Sequence, residues 1–189
     1  MKQYLLIGFA LWAASGLAQA QAIRFEKDSL PQVFARARQL NKPVFVLISS
    51  PPTPAASPGV LRKSGSESGL NAPAVAAVLN KDFLNKELVY GTAESASVIR
   101  QYTVSRYPAC LYFEADGSLL YRSAGSASNE QRYLQDLQAF RQAQADPQNL
   151  SYFQTQFQQG NRSVSFLKQY MSQCQQAGPS WTPTCWTPT

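Results

Sequence analysis

The segment Lys42-Pro43-Val44-Phe45-Val46-Leu47-Ile48 is the most constraining stretch of this 189-residue chain. A proline closes whatever precedes it, and an uninterrupted run of β-branched, aromatic and aliphatic residues follows. A run this short and apolar at every position predicts a central strand buried on both faces. On its N-terminal side, Ser29-Leu30-Pro31-Gln32 reads as a capping box, and Leu30, Val33, Phe34, Ala37 and Leu40 recur at helical spacing until Asn41-Lys42-Pro43 stops the helix. On its C-terminal side, Ser49 to Gly69 holds Pro51, Pro52, Pro54 and Pro58 among Ser and Ala, and reads as a long loop with at most a short helix near Val60.

The helical pattern resumes over Pro73 to Phe83 (Val75, Val78, Leu79, Phe83), followed by a short strand at Leu88-Val89-Tyr90 and a short helix from Glu94 to Tyr102. Tyr107-Pro108 precedes a strand from Cys110 to Glu114, which Asp116-Gly117 turns back into a hairpin partner at Leu119 to Arg122. Ser128-Asn129-Glu130-Gln131 reads as a second capping box and opens a helix carrying Leu134, Leu137 and Phe140. Beyond it, Asp146-Pro147 starts a helix with Leu150, Phe153 and Phe157 on one face, ended by Gly160. Its partner, Ser163 to Gln176, places Leu167, Tyr170, Met171 and Cys174 on one stripe. Gln is concentrated between Gln131 and Gln176, yet the apolar spacing survives, so this region reads as a polar-faced helical hairpin rather than low complexity.

Both ends differ from this pattern. Lys2, the apolar run Leu5 to Ala14 and Ala18-Gln19-Ala20 have the anatomy of a secretory signal peptide, with cleavage expected near Ala20. The expected location is therefore periplasmic or secreted. The run is too short to span a bilayer comfortably, and no integral span is expected in the mature chain. At the other end, the segment from Ser180 repeats Trp-Thr-Pro-Thr without a core-forming pattern. Either it binds something, or the reading frame is truncated there; the second is preferred. The expected organisation is a signal peptide over 1–20, a main domain over 21–145, a helical hairpin over 146–178 and an unstructured tail over 179–189.

Composition excludes several chemistries. The chain has no His, so it cannot build a Ser-His-Asp triad, a Cys-His pair or a His-ligated metal site; no metal site and no cofactor are expected. The net charge of +6 comes from scattered residues (Arg36, Arg38, Lys42, Arg62, Lys63, Lys81, Lys86), a pattern that fits a solvated surface and argues against a nucleic-acid partner. Neither a G-x-x-x-x-G-K-[ST] nor a G-x-G-x-x-G phosphate loop occurs.

The order of elements, with three local motifs, resembles the thioredoxin superfamily as found in exported bacterial proteins. Lys42-Pro43-Val44-Phe45-Val46 is similar to the family's entry to its central strand. Val98 to Val104 with Arg106-Tyr107-Pro108 is similar to its approach to a cis-proline. Phe113-Glu114-Ala115-Asp116-Gly117 and Gly125 are similar to its final hairpin. The resemblance covers about residues 23 to 143. It implies an α/β fold, a thioredoxin-like three-layer α/β/α sandwich, here with a C-terminal α-helical extension.

The resemblance also shows what this chain lacks. The family's spacing from Lys42 puts its C-x-x-C redox pair at Thr53-Pro54-Ala55-Ala56, so the two thiol positions are Thr53 and Ala56. Neither forms a disulfide, and the Thr hydroxyl has no base beside it. Where active members often carry a buried Asp in the central strand, this chain has Leu47. An ordinary dithiol oxidoreductase is excluded. Two functions remain. The leading one is a binding module for an extended peptide or envelope protein partner, using Tyr107 and Pro108, where the family's backbone meets extended peptides. The other is thiol-disulfide exchange through the lone Cys110, two residues beyond Pro108, although its place in an apolar strand suits a small packed hydrophobe. Cys174 and Cys185 could pair in an oxidising compartment.

Overall fold

The computed structural model describes residues 22–50 and 69–176; the expected signal peptide, most of the proline-containing loop with Thr53 and Ala56, and the tail with Cys185 lie outside them. The order of elements is α1 (Leu30–Leu40), β1 (Val44–Ile48), a 3-10 turn (Gly69–Asn71), α2 (Pro73–Asp82), β2 (Leu84–Leu88), α3 (Ala93–Gln101), β3 (Ala109–Phe113), β4 (Leu119–Ala124), α4 (Gln131–Ala145), α5 (Leu150–Gln158) and α6 (Val164–Gln176). The strands form one mixed sheet in the order β2-β1-β3-β4. β1 runs parallel to β2 and antiparallel to β3, and β3 and β4 form a hairpin.

The unbroken apolar run of β1 has the explanation its composition suggested. Phe45 faces α2 and α4, packing with Val75, Leu79, Tyr133, Leu137 and Phe140. Val44, Val46 and Ile48 face α1 and α3, among Val33, Ala37 and Val98. With period-2 alternation and helices on both sides, each parity must be apolar. β3 repeats the scheme: Cys110 and Tyr112 join the first layer, and Ala109, Leu111 and Phe113 the second.

A bulge in the hairpin sets the orientation of everything after it. Tyr112 pairs with Tyr121 but Phe113 pairs with Leu119, so Leu120 is the extra residue. Leu120 and Tyr121 therefore both pack toward α4, and the alternation restarts one step later. Arg122 then points to the α3 layer, where its Nη1 donates to the Tyr102 carbonyl at 2.6 Å. Ser123 points to the α4 layer, where its hydroxyl meets the Asp136 carboxylate at 2.5 Å.

Several boundaries differ from the expectation. The second strand is Leu84–Leu88, ahead of the expected Leu88-Val89-Tyr90. Its interior is polar, which hid it, but Asn85 and Lys86 are buried and their nitrogens find acceptors. Asn85 Nδ2 donates to the Leu79 carbonyl at 3.2 Å, and Lys86 Nζ to the Asp28 carbonyl at 2.6 Å. The expected box at Ser128 does not cap α4, which starts from Glu130 without a side-chain cap bond. α5 is capped by Asn149, whose Oδ1 accepts from the Tyr152 N–H at 3.1 Å, while Asp146 forms a turn with the Gln148 N–H. In α6 the buried stripe is Phe166, Tyr170 and Cys174; Met171 is 52% exposed. In α1, Leu40 is likewise exposed, whereas the box at Ser29 forms, with its N–H donating to Gln32 Oε1 at 3.0 Å.

α5 and α6 share their own apolar cluster (Leu150, Phe153, Phe166, Tyr170, Cys174), with Phe153 and Tyr170 stacked at 6.0 Å, and α5 lies against β4. Among the described residues, no helix is long and apolar enough to cross a membrane.

Candidate functional site

The C-terminal ends of β1 and β2 and the start of β3 meet at one end of the sheet, because β3 runs antiparallel to β1 and pairs Ala109 with Ile48. Ser49 fastens this end. Its N–H donates to the Leu88 carbonyl at 3.0 Å, and its Oγ accepts from the Tyr90 N–H at 3.0 Å. Val89 and Tyr90, released from the strand ladder, project outward and are 59% and 36% exposed. Gly91, with φ of +91°, then reverses the chain into α3, where Thr92 Oγ caps the Ser95 N–H at 3.2 Å.

Tyr107 and Pro108 arrive at the same end from the other side. Thr103 at φ +49° ends the α3 segment, and the chain reaches Tyr107, whose hydroxyl donates to the Val104 carbonyl at 3.0 Å. The Tyr107 ring meets the Tyr90 ring edge to face, 4.9 Å apart, a favoured aromatic geometry. Desolvation, with a smaller contribution from Tyr90, raises the Tyr107 hydroxyl above the usual tyrosine range, so it stays neutral. The Tyr107–Pro108 peptide bond is cis, and the Pro108 carbonyl accepts from the Gly125 N–H at 2.7 Å. Both residues are half-buried. Val89, Tyr90, Tyr107 and Pro108 thus form a partly exposed apolar and aromatic surface, with exposed Arg106 next in the chain. The Tyr107 hydroxyl is neutral and donates to a backbone carbonyl, so what the group presents is aromatic and apolar contact surface.

Cys110 is close in sequence but remote in access. It sits in the middle layer of the sheet, opposite Leu47 on one side and Ser123 on the other, and is 1% exposed. Burial pushes its thiol up to about 12; the negative charge of Asp136 adds to this, while Arg132 and a hydrogen bond with Ser123 offset part of it. A nucleophilic thiol needs the opposite environment, accessible and electropositive. The geometry does not favour thiol exchange at Cys110: the side chain fills a core position. Cys174, the other cysteine among the described residues, is also buried.

Sequence reasoning reached Tyr107 and Pro108 but missed Val89 and Tyr90, which it assigned to a strand interior. The available signal was Gly91: a glycine after two bulky apolar residues marks a turn that leaves them outside the sheet.

A four-stranded mixed sheet between two helical layers, with a cis X-Pro bond opening the third strand, is a thioredoxin-like α/β fold. No family model matches the chain, and no curated protein matches it. The comparison with solved structures supplies the likeness. A protein from Bacteroides thetaiotaomicron assigned as a disulphide-isomerase is 24% identical, with a TM-score of 0.51 over 65% of this chain and 95% of that one. A thioredoxin from Thermus thermophilus (20% identity, TM-score 0.49, 66% and 89% covered) and a DsbH oxidoreductase (14%, 0.47, 71% and 94%) are also similar. The first of these likenesses establishes the fold.

Proposed function

We propose that this chain is an exported, thioredoxin-like binding module of the cell envelope that lacks dithiol chemistry and engages an extended segment of a partner protein at Tyr107 and Pro108. The carrying observation is the edge-to-face contact of Tyr90 with Tyr107 beside Pro108, which leaves an aromatic surface part-exposed at the end of the sheet. Thr53 and Ala56 at the expected thiol positions support the absence of redox activity, and the burial of Cys110 supports it further. Export after cleavage near Ala20 rests on the signal-like N-terminus.

The test is fluorescence polarisation with a permanently unfolded, carboxymethylated protein as the labelled ligand. Replacing Tyr107 or Tyr90 by Ala is expected to weaken binding about tenfold or more, as for aromatic anchors elsewhere. Pro108→Ala should weaken it beyond any loss of thermal stability. Unchanged binding in folded variants would place recognition elsewhere. Insulin reduction with dithiothreitol should not be accelerated by the wild-type protein.

A further inference from the structure

A cavity of about 400 Å³ lies around the outer side of β4, within the size range of small-molecule sites. Its wall includes Arg106, Arg122, Arg132, Ser105, Ser123 and Asp136. The cavity wraps the edge of β4, with Arg122 on the α3 side and Asp136 on the α4 side, where that carboxylate is already engaged by the Tyr121 and Ser123 hydroxyls at 3.1 and 2.5 Å. Arg132 donates to the carbonyls of Gly125 and Ala124 at 3.0 and 2.7 Å, neutral acceptors that carry no counter-charge.

Arg122 is the unusual member. It is 6% exposed, and its Nη1 has the Tyr102 carbonyl, yet Nε and Nη2 are buried without an acceptor. No carboxylate among the described residues forms an ion pair with it. A buried guanidinium with unpaired N–H groups and no counter-charge is costly. Its Nε and Nη2 edge matches the two oxygens of a carboxylate or phosphate.

We propose that this cavity binds a small molecule through a carboxylate or phosphate group, with Arg122 as the deep contact, Arg106 at the exposed rim and Arg132 alongside. Arg122 lines the cavity while its Nε and Nη2 are closed to solvent, so binding requires the guanidinium to turn toward the cavity. A small ligand fits better than a polypeptide because the anionic group must reach a side chain almost closed to solvent. The cavity borders the proposed peptide surface through Val104, Arg106 and Ala109, but Tyr90, Tyr107 and Pro108 do not line it.

The experiment follows the Arg Nε–Hε resonances of the mature protein during titration with inorganic phosphate and, separately, with succinate, at constant ionic strength set by sodium chloride. A saturable shift of the Arg122 resonance is expected with at least one probe, and the tighter probe identifies the headgroup. Arg122→Met removes the buried charge at similar volume, should fold, and should abolish binding as followed by calorimetry. Arg106→Ala, at an exposed position, should weaken binding about tenfold. Arg141→Ala, whose guanidinium pairs with Asp82 at 2.7 Å away from the cavity, should not change it. No saturable shift with either probe up to about 50 mM, or equal binding by Arg122→Met, would overturn the proposal.

Discussion

If Cys110 is a core residue, its alkylation rate should report global opening and nothing faster. The thiol lies at about 12 against an ordinary value of 9.0. At pH 8 that difference lowers the reactive thiolate fraction roughly 1000-fold, before any steric exclusion. Exclusion adds to it, since Cys110 is 1% exposed between Leu47 and Ser123. Iodoacetamide labelling followed by intact-mass measurement should leave Cys110 unmodified under conditions that label a peptide thiol within minutes. In denaturant it should label at the peptide rate. Addition of denaturant below the midpoint should accelerate labelling in step with the unfolding equilibrium, as for a group exposed only by global opening. Native labelling within about tenfold of a peptide thiol would refute the assignment and restore a thiol function. A reducible adduct on Cys110 in the protein isolated from cells would do the same.

Gly69 is 2.0 Å from the Asn129 carbonyl oxygen and 2.6 Å from the Glu130 nitrogen at the position a Cβ would take, so Gly69→Ala must displace backbone; a loss of roughly 3 kcal/mol or more is expected. Calorimetry should show Tm lowered by about 10 °C. Burial raises the Asp136 carboxyl above its usual 3.8, against opposing hydrogen bonds from Ser123 and Tyr121 and the charge of Arg132. The folded state thus holds this proton to higher pH than the unfolded chain. Its contribution to stability falls as pH rises from about 3.8 through the native value and stays as a penalty above it. Denaturant titrations from pH 4 to 7 should show Asp136→Asn gaining on the wild type across that window. At high pH the order is set by Cys110 and Tyr121, both pushed up to about 12 by burial first. The unfolded chain releases these protons earlier, so stability should fall as pH rises from about 9 toward 12. Cys110 alone should account for up to about 4 kcal/mol at the top of that range, and Cys110→Ala should flatten the curve.

The parts of the fold readable from sequence are those whose cause is local. β1 announced itself because both faces are covered, and α1 because Ser29 and Gln32 interact within one turn. β2 was hidden because its buried polar residues find partners far away: Arg24 lies 61 residues from Asn85, and Asp28 lies 58 from Lys86. The same reason applies to Glu94, whose carboxylate accepts the Leu30 N–H at 2.5 Å across 64 residues. α6 carried two competing stripes, and only packing against Phe153 selects Phe166 over Met171. Of the candidate site, Tyr107 and Pro108 were legible through resemblance, whereas their contact with Tyr90 depends on strand ends meeting in space. Thr53 and Ala56 lie outside the described residues. Arg122 gave no signal at all, because its burial follows from a one-residue bulge and a carbonyl twenty residues upstream.

The surface at the sheet end is held by contacts among the described residues. Tyr107 is held by the Val104 carbonyl and the Tyr90 ring, Pro108 by Gly125, and Tyr90 by Ser49. Beneath them, Ile48, Leu88 and Ala109 are almost fully buried, so the ends of the strands are fixed by the core. These anchors all lie among the described residues, and a binding role of the kind proposed needs no thiol to hold them. The same logic applies to Leu47: an apolar residue half-buried against the α2 and α4 layer needs no compensating charge, whereas an acid there would carry a desolvation cost with no resolving proton to manage. On the proposed reading, the apolar strand and the presence of Thr53 and Ala56 at the expected thiol positions are consistent with a surface that binds chain rather than a site that moves electrons.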